Sequence, residues 1–331
     1  MFDYASIWRT GNKYADQYIV AAEELGLETE IIDRTNGTAL LSYNGRQMTI
    51  RAAQIGCNNF VATQIAQNKY LTSKLLERKG FRVPECRLFI PTEFYDETEF
   101  RKAIYAWATG RFPVVLKTAT GLGGHNVFAG IDDHDELEWA IRKLWNDRTL
   151  EILCEKHIFG QHYRIKMFDY LPTAIYLRIP GHVIGDGTSS ISELIQFKNQ
   201  EKSQSGLPLM EISDRMLRLL EKNKLDLGNI LGSGVRQELC IESNLHLGGH
   251  CDQLPVSILS NRSVNFFSSV ARATQLRYVG LDIIVDDLAD PQAHERAYVN
   301  ETNAAAVPNE YTPGEDLLQP TKNVLCDYFS L

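Results

Sequence analysis

Apolar positions along the chain alternate between two periods, near 3.6 and near 2, and the switching predicts interleaved helices and strands. Tyr14, Tyr18, Ala21, Ala22 and Leu25 fall at helical spacing, and Gly26 is a stop signal. Thr29 to Ile32 reads as a strand. Thr38 to Ile50 reads as a hairpin turning at Asn44-Gly45, the pair a two-residue turn with positive φ favours. The pattern then predicts a helix from Lys69 to Lys79 ended by Gly80, a strand from Arg87 to Ile90 and a helix from Glu97 to Thr109. Pro113-Val114-Val115-Leu116 is an apolar run short enough for a buried strand, and Val127-Phe128-Ala129 resumes as strand after a glycine-rich loop. A helix follows over Asp133 to Asn146, with Leu137, Ala140, Ile141 and Leu144 on one face.

Beyond it, Leu150 to Ile158 is an apolar strand turning polar at its end. Tyr163 to Phe168 alternates as a strand, Asp169 to Pro172 is a turn, and Thr173 to Ile179 is the next strand. Arg164 and Arg178 therefore fall on adjacent antiparallel strands. A tight turn from His182 to Ser189 enters a helix whose expected cap is Ser190, with Glu193 three residues on. Asp214 to Asn223 and Arg262 to Leu276 read as helices. Val279 to Val285 is a buried strand with Asp282 at its centre, and Ala297 to Ala304 is a second strand carrying Glu301 and Asn303.

Composition narrows the classes. The chain has 331 residues, 44% hydrophobic and 23% charged, with a net charge of -8, an ordinary globular composition with room for two or three subdomains. No run approaches the ~18–20 apolar residues of a membrane span. The N-terminus shows no basic stretch followed by an apolar one, so no signal peptide is expected. The acidic balance argues against a general nucleic-acid binder. The six cysteines have neither close pairing nor zinc spacing, which fits a reducing cytoplasm.

Candidate chemistry lies in two places. Lys117 ends a buried strand, and Gly121, Gly123 and Gly124 follow within a few residues. Glycines let backbone N–H groups converge on an anion, and a lysine leaving a strand suits a triphosphate. The P-loop pattern differs, because it puts Lys-Ser/Thr straight after its last glycine and opens a helix. A plain glycine-rich hairpin is the alternative. The second place is Asp282 with Glu301 and Asn303. Period 2 puts Glu301 and Asn303 on one face. Buried carboxylates pair with cations or bind metal. Magnesium takes one or two carboxylates and fills its other positions with nucleotide phosphates and water. A hydrogen-bonded polar cluster is the alternative, and nothing resembles a calcium-binding EF-hand loop.

In order, these residues resemble the ATP-grasp carboxylate–amine ligases, nearest the branch with cyanophycin synthetase and the ATP-grasp part of fused glutathione synthetases. The resemblance spans roughly Lys69 to Ala306. It rests on Lys117 with its loop, Glu155-Lys156-His157-Ile158, Arg164 and Arg178, the turn His182 to Gly187, Asn244 to Gly249, Asp282, and Asn300 to Ala305. It implies a mixed α/β (α+β) ATP-grasp fold, in which two antiparallel-sheet subdomains clasp ATP behind a small N-terminal α/β domain. The implied boundaries are 1–67, 68–158 with the phosphate flap, 159–312 with the magnesium site, and a 313–331 tail. By resemblance, Lys69, Lys117 and the loop Gly121, Gly123, Gly124, Asn126 would contact ATP phosphates. Glu155, Lys156, His157 and Ile158 would hold adenine. Asp282, Glu301 and Asn303 would hold two magnesium ions, with manganese as an alternative. Arg164 and Arg178 would stabilise the transferring phosphoryl group and the acyl phosphate. His182, Asn244, Gly248 and Gly249 would line the substrate pocket.

The sequence departs from the family in places. His162 stands where an acid usually takes the ribose hydroxyls, Asn126 where the loop often ends in glycine, Thr118 for a proline, and Ala306 for another proline. The implied reaction joins an amino acid or peptide carboxylate to an amine through an acyl phosphate, releasing ADP and phosphate. It needs positioning and charge neutralisation more than a protein nucleophile. The expected partners are amino acids or short peptides, with no nucleic acid and no membrane, and a homo-oligomer stays open. Alternatives are a ligase modifying a ribosomal precursor peptide, a phosphotransferase that forms no amide, and a binding protein that has lost catalysis.

Overall fold

The computed structural model describes residues 9–121, 126–145, 150–204, 209–243, 248–306 and 318–331. Along the chain run α1 (Lys13–Glu24), β1 (Glu28–Asp33), β2 (Thr38–Tyr43), β3 (Arg46–Arg51), β4 (Gln54–Ile55), α2 (Phe60–Ala66) and α3 (Lys69–Arg78). Next come β5 (Cys86–Phe89), α4 (Glu97–Ala108), β6 (Val114–Thr118), β7 (Val127–Ile131), α5 (His134–Trp145), β8 (Ile152–Lys156), β9 (Gln161–Phe168), β10 (Leu171–Ile179) and β11 (His182–Ile184). The order ends with α6 (Ile191–Gln204), α7 (Asp214–Lys222), β12 (Arg236–Glu238), β13 (His250–Leu254), α8 (Asn261–Thr274), β14 (Tyr278–Val285), α9 (Ala293–Arg296), β15 (Tyr298–Asn303) and α10 (Gln319–Phe329). Contacts divide this chain into two compact units, Met1–Val83 with Phe159–Leu177 and Gln253–Leu331, and Pro84–Ile158 with Arg178–Asp252.

In the first unit, β1 to β4 form a sheet in chain order. The β2–β3 turn is Asn44-Gly45, both at positive φ (47° and 79°), as the sequence led one to expect. The buried face of α1, with Tyr18 and Ile19, packs on Leu41, Met48 and Ile50. Asn12 caps α1 by accepting from the amides of Tyr14 and Ala15. Within 313–331, expected as a tail, α10 adds Val324, Leu325 and Phe329 to this same core. Lys322 reaches Glu24 at 2.6 Å.

The second sheet of this unit has the order β13-β10-β9-β14-β15. Alternation gives it two unlike faces. Tyr163, Ile165 and Met167 of β9 and Leu281, Ile283 and Val285 of β14 pack with Phe267, Val270 and Ala271 of α8. On the opposite face, Phe168 and Tyr278 join the core beneath α1 and α10, their rings 6.3 Å apart. Further along β9 and β14, that face turns polar.

In the second unit a sheet of order β5-β8-β6-β7 packs under α4 and α5, with Phe100, Ile104, Leu137 and Ile141 against Leu116, Phe128 and Ile152. The pairings of β6 with β7 and β8, of β5 with β8, and of β14 with β9 and β15 are all antiparallel. A further core joins the β11–β12 ribbon to α6 and α7 through Val183, Ile191, Ile195, Met216, Leu220 and Leu239. The β9–β10 turn is tighter than the four residues expected, because Asp169 and Tyr170 alone make it, at φ 45° and 69°. Among the described residues no helix is long and apolar enough to cross a membrane.

Candidate active site

Register decides what Asp282 meets. It lies directly opposite Arg164 of β9 on one side and Glu301 of β15 on the other. Residues paired across antiparallel strands project to the same face. Gly280, two residues back, lies opposite Lys166 and Asn303, so Glu301 and Asn303 do share a face. Arg164 forks onto the Asp282 carboxylate, Nε to Oδ1 and NH2 to Oδ2 at 2.8 Å. Asn303 Nδ2 donates to the same Oδ2 at 3.2 Å. Lys69, the first residue of α3, places Nζ 3.5 Å from Glu301 Oε1. Asn68 caps that helix by accepting from the amide of Leu71. Asp282 and Glu301 thus each meet a cation, with the buried Lys166 on the same sheet face, and their side chains are 13% and 20% exposed.

Gly280 is what lets Arg164 lie there. A Cβ built on it would come 2.9 Å from Arg164 Cδ and 3.1 Å from NH1. Gly160, at φ 147°, seats the turn before β9 against β14, where a Cβ would meet Ile284 Cγ2 at 3.0 Å. His162 then falls opposite Ile284, on the same face as Arg164 and Asp282.

In the second unit, the fully buried β6 carries Lys117 to its end. Its Nζ lies 2.5 Å from Glu155 Oε1 of β8, with the side chains 4% and 7% exposed. Sequence reasoning gave Glu155 only a place near adenine; its side chain is in fact the anion beside Lys117. Register brings them together: Val115 pairs with Glu155 and Lys117 with Leu153, putting Lys117 and Glu155 on one face. The amides of Lys156 and His157 bond to the carbonyls of Glu85 and Pro113. Burial pushes the His157 imidazole below its ordinary pKa. Asn126 takes φ 57° and its carbonyl accepts from the Thr118 amide at 3.2 Å, closing the return into β7. Gly121 has φ 121°, while Gly123 and Gly124 lie outside the described residues.

Arg178 is half-buried on β10. His182 is buried on β11, its Nδ1 2.9 Å from the Pro180 carbonyl. The turn after it is held by Gly185, where a Cβ would meet the Gly232 carbonyl at 2.3 Å, and by Asp186. The Asp186 carboxylate accepts from the amides of Ser189 and Thr188 and from Ser189 Oγ, and these bonds hold its pKa far below the usual carboxylate range. Ser190 and Glu193 then form the expected reciprocal cap of α6. Gly248 has φ 87°, and the carbonyl of Gly249 accepts from Lys202. Asn244 lies outside the described residues.

The donor set on the first unit's sheet suits magnesium. Asp282, Glu301 and the Asn303 amide are hard oxygen ligands on neighbouring strands. Arg164 and Lys69 already mark the place as one where cations sit on these oxygens. Another carboxylate cluster among the described residues, Asp132, Asp133 and Glu136, differs in kind. Lys222 pairs with Asp132 at 2.6 Å and Glu136 at 3.2 Å, and Asp133 caps the start of α5.

No protein-family model matches the chain. Among curated proteins it is similar to the glutathione biosynthesis bifunctional protein GshAB of Pasteurella multocida, 24% identical over 277 residues, covering 80% of this chain and 35% of that one. It is similar to the cyanophycin synthetase of Crocosphaera subtropica, 27% identical over 271 residues, covering 80% of this chain and 30% of that one. The chain therefore spans only about a third of the length of these relatives. Among solved structures, the bifunctional glutathione synthetase from Pasteurella multocida superimposes with a TM-score of 0.64 at 21% identity, over 96% of this chain and 44% of that one. The chain therefore has the fold of the ATP-grasp ligases, and in sequence it is similar to the bifunctional glutathione and cyanophycin synthetases.

Proposed function

We propose that the chain is an ATP-dependent ligase that joins an amino acid or peptide carboxylate to an amine, through an acyl phosphate, with release of ADP and phosphate. The observation that carries this reading is the Asp282 row: a central carboxylate held in register between Arg164 and Glu301, with Asn303 bonded to it. Bound there, two magnesium ions would neutralise the β- and γ-phosphates of ATP. Lys69 and Lys117 would hold phosphate oxygens, with Gly121 to Asn126 as the flap. Adenine would rest against the Glu155–Ile158 segment, and His162 would bond a ribose hydroxyl. Arg164 and Arg178 would steady charge on the transferred phosphoryl group and on the tetrahedral oxyanion that follows amine attack. The bond that forms is C–N, the bond that breaks is C–O to phosphate, and the amine proton leaves to solvent.

A purified-chain screen tests this. Pairs of amino acids are incubated with Mg·ATP, ADP release is followed, and products are weighed by mass spectrometry. Amine-dependent ADP release with a dehydrative mass gain is expected. ADP release without an amide would instead indicate a phosphotransferase. A second reading, modification of a precursor peptide, draws support from Ile32, Phe60 and Val61 of the N-terminal region, which are 60%, 76% and 64% exposed. ADP release that requires a peptide and ignores free amino acids would select it.

A further inference from the structure

α6 carries Lys198 and Lys202 one turn apart on one face, a spacing at which like charges repel. Both are turned onto backbone carbonyls. Lys198 Nζ donates to the His182 carbonyl at 2.6 Å. Lys202, 6% exposed, donates to the Gly249 carbonyl at 3.1 Å. A carbonyl satisfies one N–H of an ammonium group and cancels none of its charge. Among the described residues neither lysine has a carboxylate within ion-pair distance. These carbonyls belong to the two segments, around His182 and Gly249, that the ligase reading gives to substrate.

Two imidazoles stand in the same place. The rings of His182 and His250 are 5.5 Å apart. Burial and the fields of Lys198 and Arg236 lower the His182 pKa, against the Pro180 carbonyl and Glu238. Burial lowers that of His250, helped by His182, Lys198 and Lys202 and opposed by Asp252. Burial and Lys198 also lower that of Lys202. Arg236 is already bonded to Glu238 at 2.7 Å, and Asp252 stands off at 4.0 Å from His250. Burial and Arg236 lower the Lys198 pKa against the fields of Glu201 and Glu238, so the two lysines are held by backbone contacts with no carboxylate among the described residues in direct contact. Partly buried ammonium groups that lack a direct ion pair cost stability unless an anion completes them.

We propose that Lys198 and His250, backed by Lys202, form a carboxylate subsite, and that the amine substrate is a free amino acid held there by its carboxylate. The inference rests on the ligase reading. A carboxylate suits the site better than phosphate, because a dianion favours arginine forks or a nest of amides, and Arg236 is engaged by Glu238. Anchoring the amino acid by one end fixes where its nitrogen lies, which is the positioning that acyl transfer needs.

The test is binding, independent of turnover. Saturation-transfer NMR on the full chain is run with the twenty proteinogenic amino acids, their C-terminal amides, and inorganic phosphate. At least one free acid should bind, with its amide about tenfold weaker or worse. Lys198→Met should erase that preference while ATP affinity stays unchanged, and Lys198→Arg should keep it. The proposal is overturned if no amino acid binds, if acid and amide bind equally, if phosphate outcompetes every acid, or if Lys198→Met keeps the preference. Acid-selective binding lost in Lys198→Met, with no amine-dependent ADP release, would sink the ligase reading and leave the carboxylate subsite standing. Turnover of an amide as fast as its acid would do the reverse.

Discussion

A carboxylate in the middle of a buried strand must be answered, and Asp282 is answered by a guanidinium fork and an amide. Glu301 is more lightly held, by Lys69 at 3.5 Å, and is the side chain to change first. Glu301→Gln should weaken Mn2+ affinity in the presence of ATP by at least about tenfold. Its thermal stability should move little, since a partly exposed pair contributes about 1 kcal/mol or less. Paramagnetic manganese titration and a melt check both halves; unchanged metal affinity would remove Glu301 from the ligand set. Gly280→Ala should push Arg164 off Asp282 and lower turnover without loss of ATP affinity, because the added methyl meets Arg164 Cδ at 2.9 Å. Glu155→Gln removes the anion 2.5 Å from the buried Lys117 and should cost about 3–5 kcal/mol in denaturant unfolding. The histidines give a pH signature. Burial lowers the pKa values of His157, His182 and His250 below the ordinary imidazole value of 6.5. The folded chain then binds fewer protons than the unfolded one, so their contribution is complete above that value and is lost as pH falls below it. Melting temperatures should drop between pH 7 and 5; a rise across that window would contradict the assignment.

At the scale of elements, periodicity made most helices and strands readable, and local chemistry made the turns readable. Asn44-Gly45 and the Ser190–Glu193 cap are examples where a few residues suffice. α2 was not legible, because its most apolar residues, Phe60 and Val61, face outward while only Ala62 and Ala66 are buried. α10 was expected as a tail, and the structure shows instead a helix that buries Val324, Leu325 and Phe329. Register was beyond the sequence. Nothing in β9, β14 or β15 taken singly states that Arg164, Asp282 and Glu301 align in one row, because pairing is set by packing of the whole sheet. The same holds for Lys117 and Glu155. Leu325→Ala tests the α10 contact. Leu325 is fully buried, and its truncation should cost about 2–5 kcal/mol by urea titration. A change near zero would mean α10 does not close that core.

For the molecule as a whole, the chemistry proposed asks the chain to activate a carboxylate that is otherwise a poor electrophile. The residues proposed for it, Lys69, Lys117, Arg164, Arg178, Asp282, Glu301 and Asn303, would supply cations, an amide and hard oxygens, each from an element defined above. On that proposal the set would neutralise and position a phosphoryl group without a nucleophile of its own. The relatives cover a chain about three times as long, so the substrates of this protein are its own question. The most direct measurement follows one oxygen atom. A carboxylate substrate found in the amino acid screen is labelled with 18O, and the phosphate released with ADP is analysed by mass spectrometry. The account predicts one labelled oxygen per phosphate formed. Label in AMP, or phosphate free of label while amide accumulates, would contradict it.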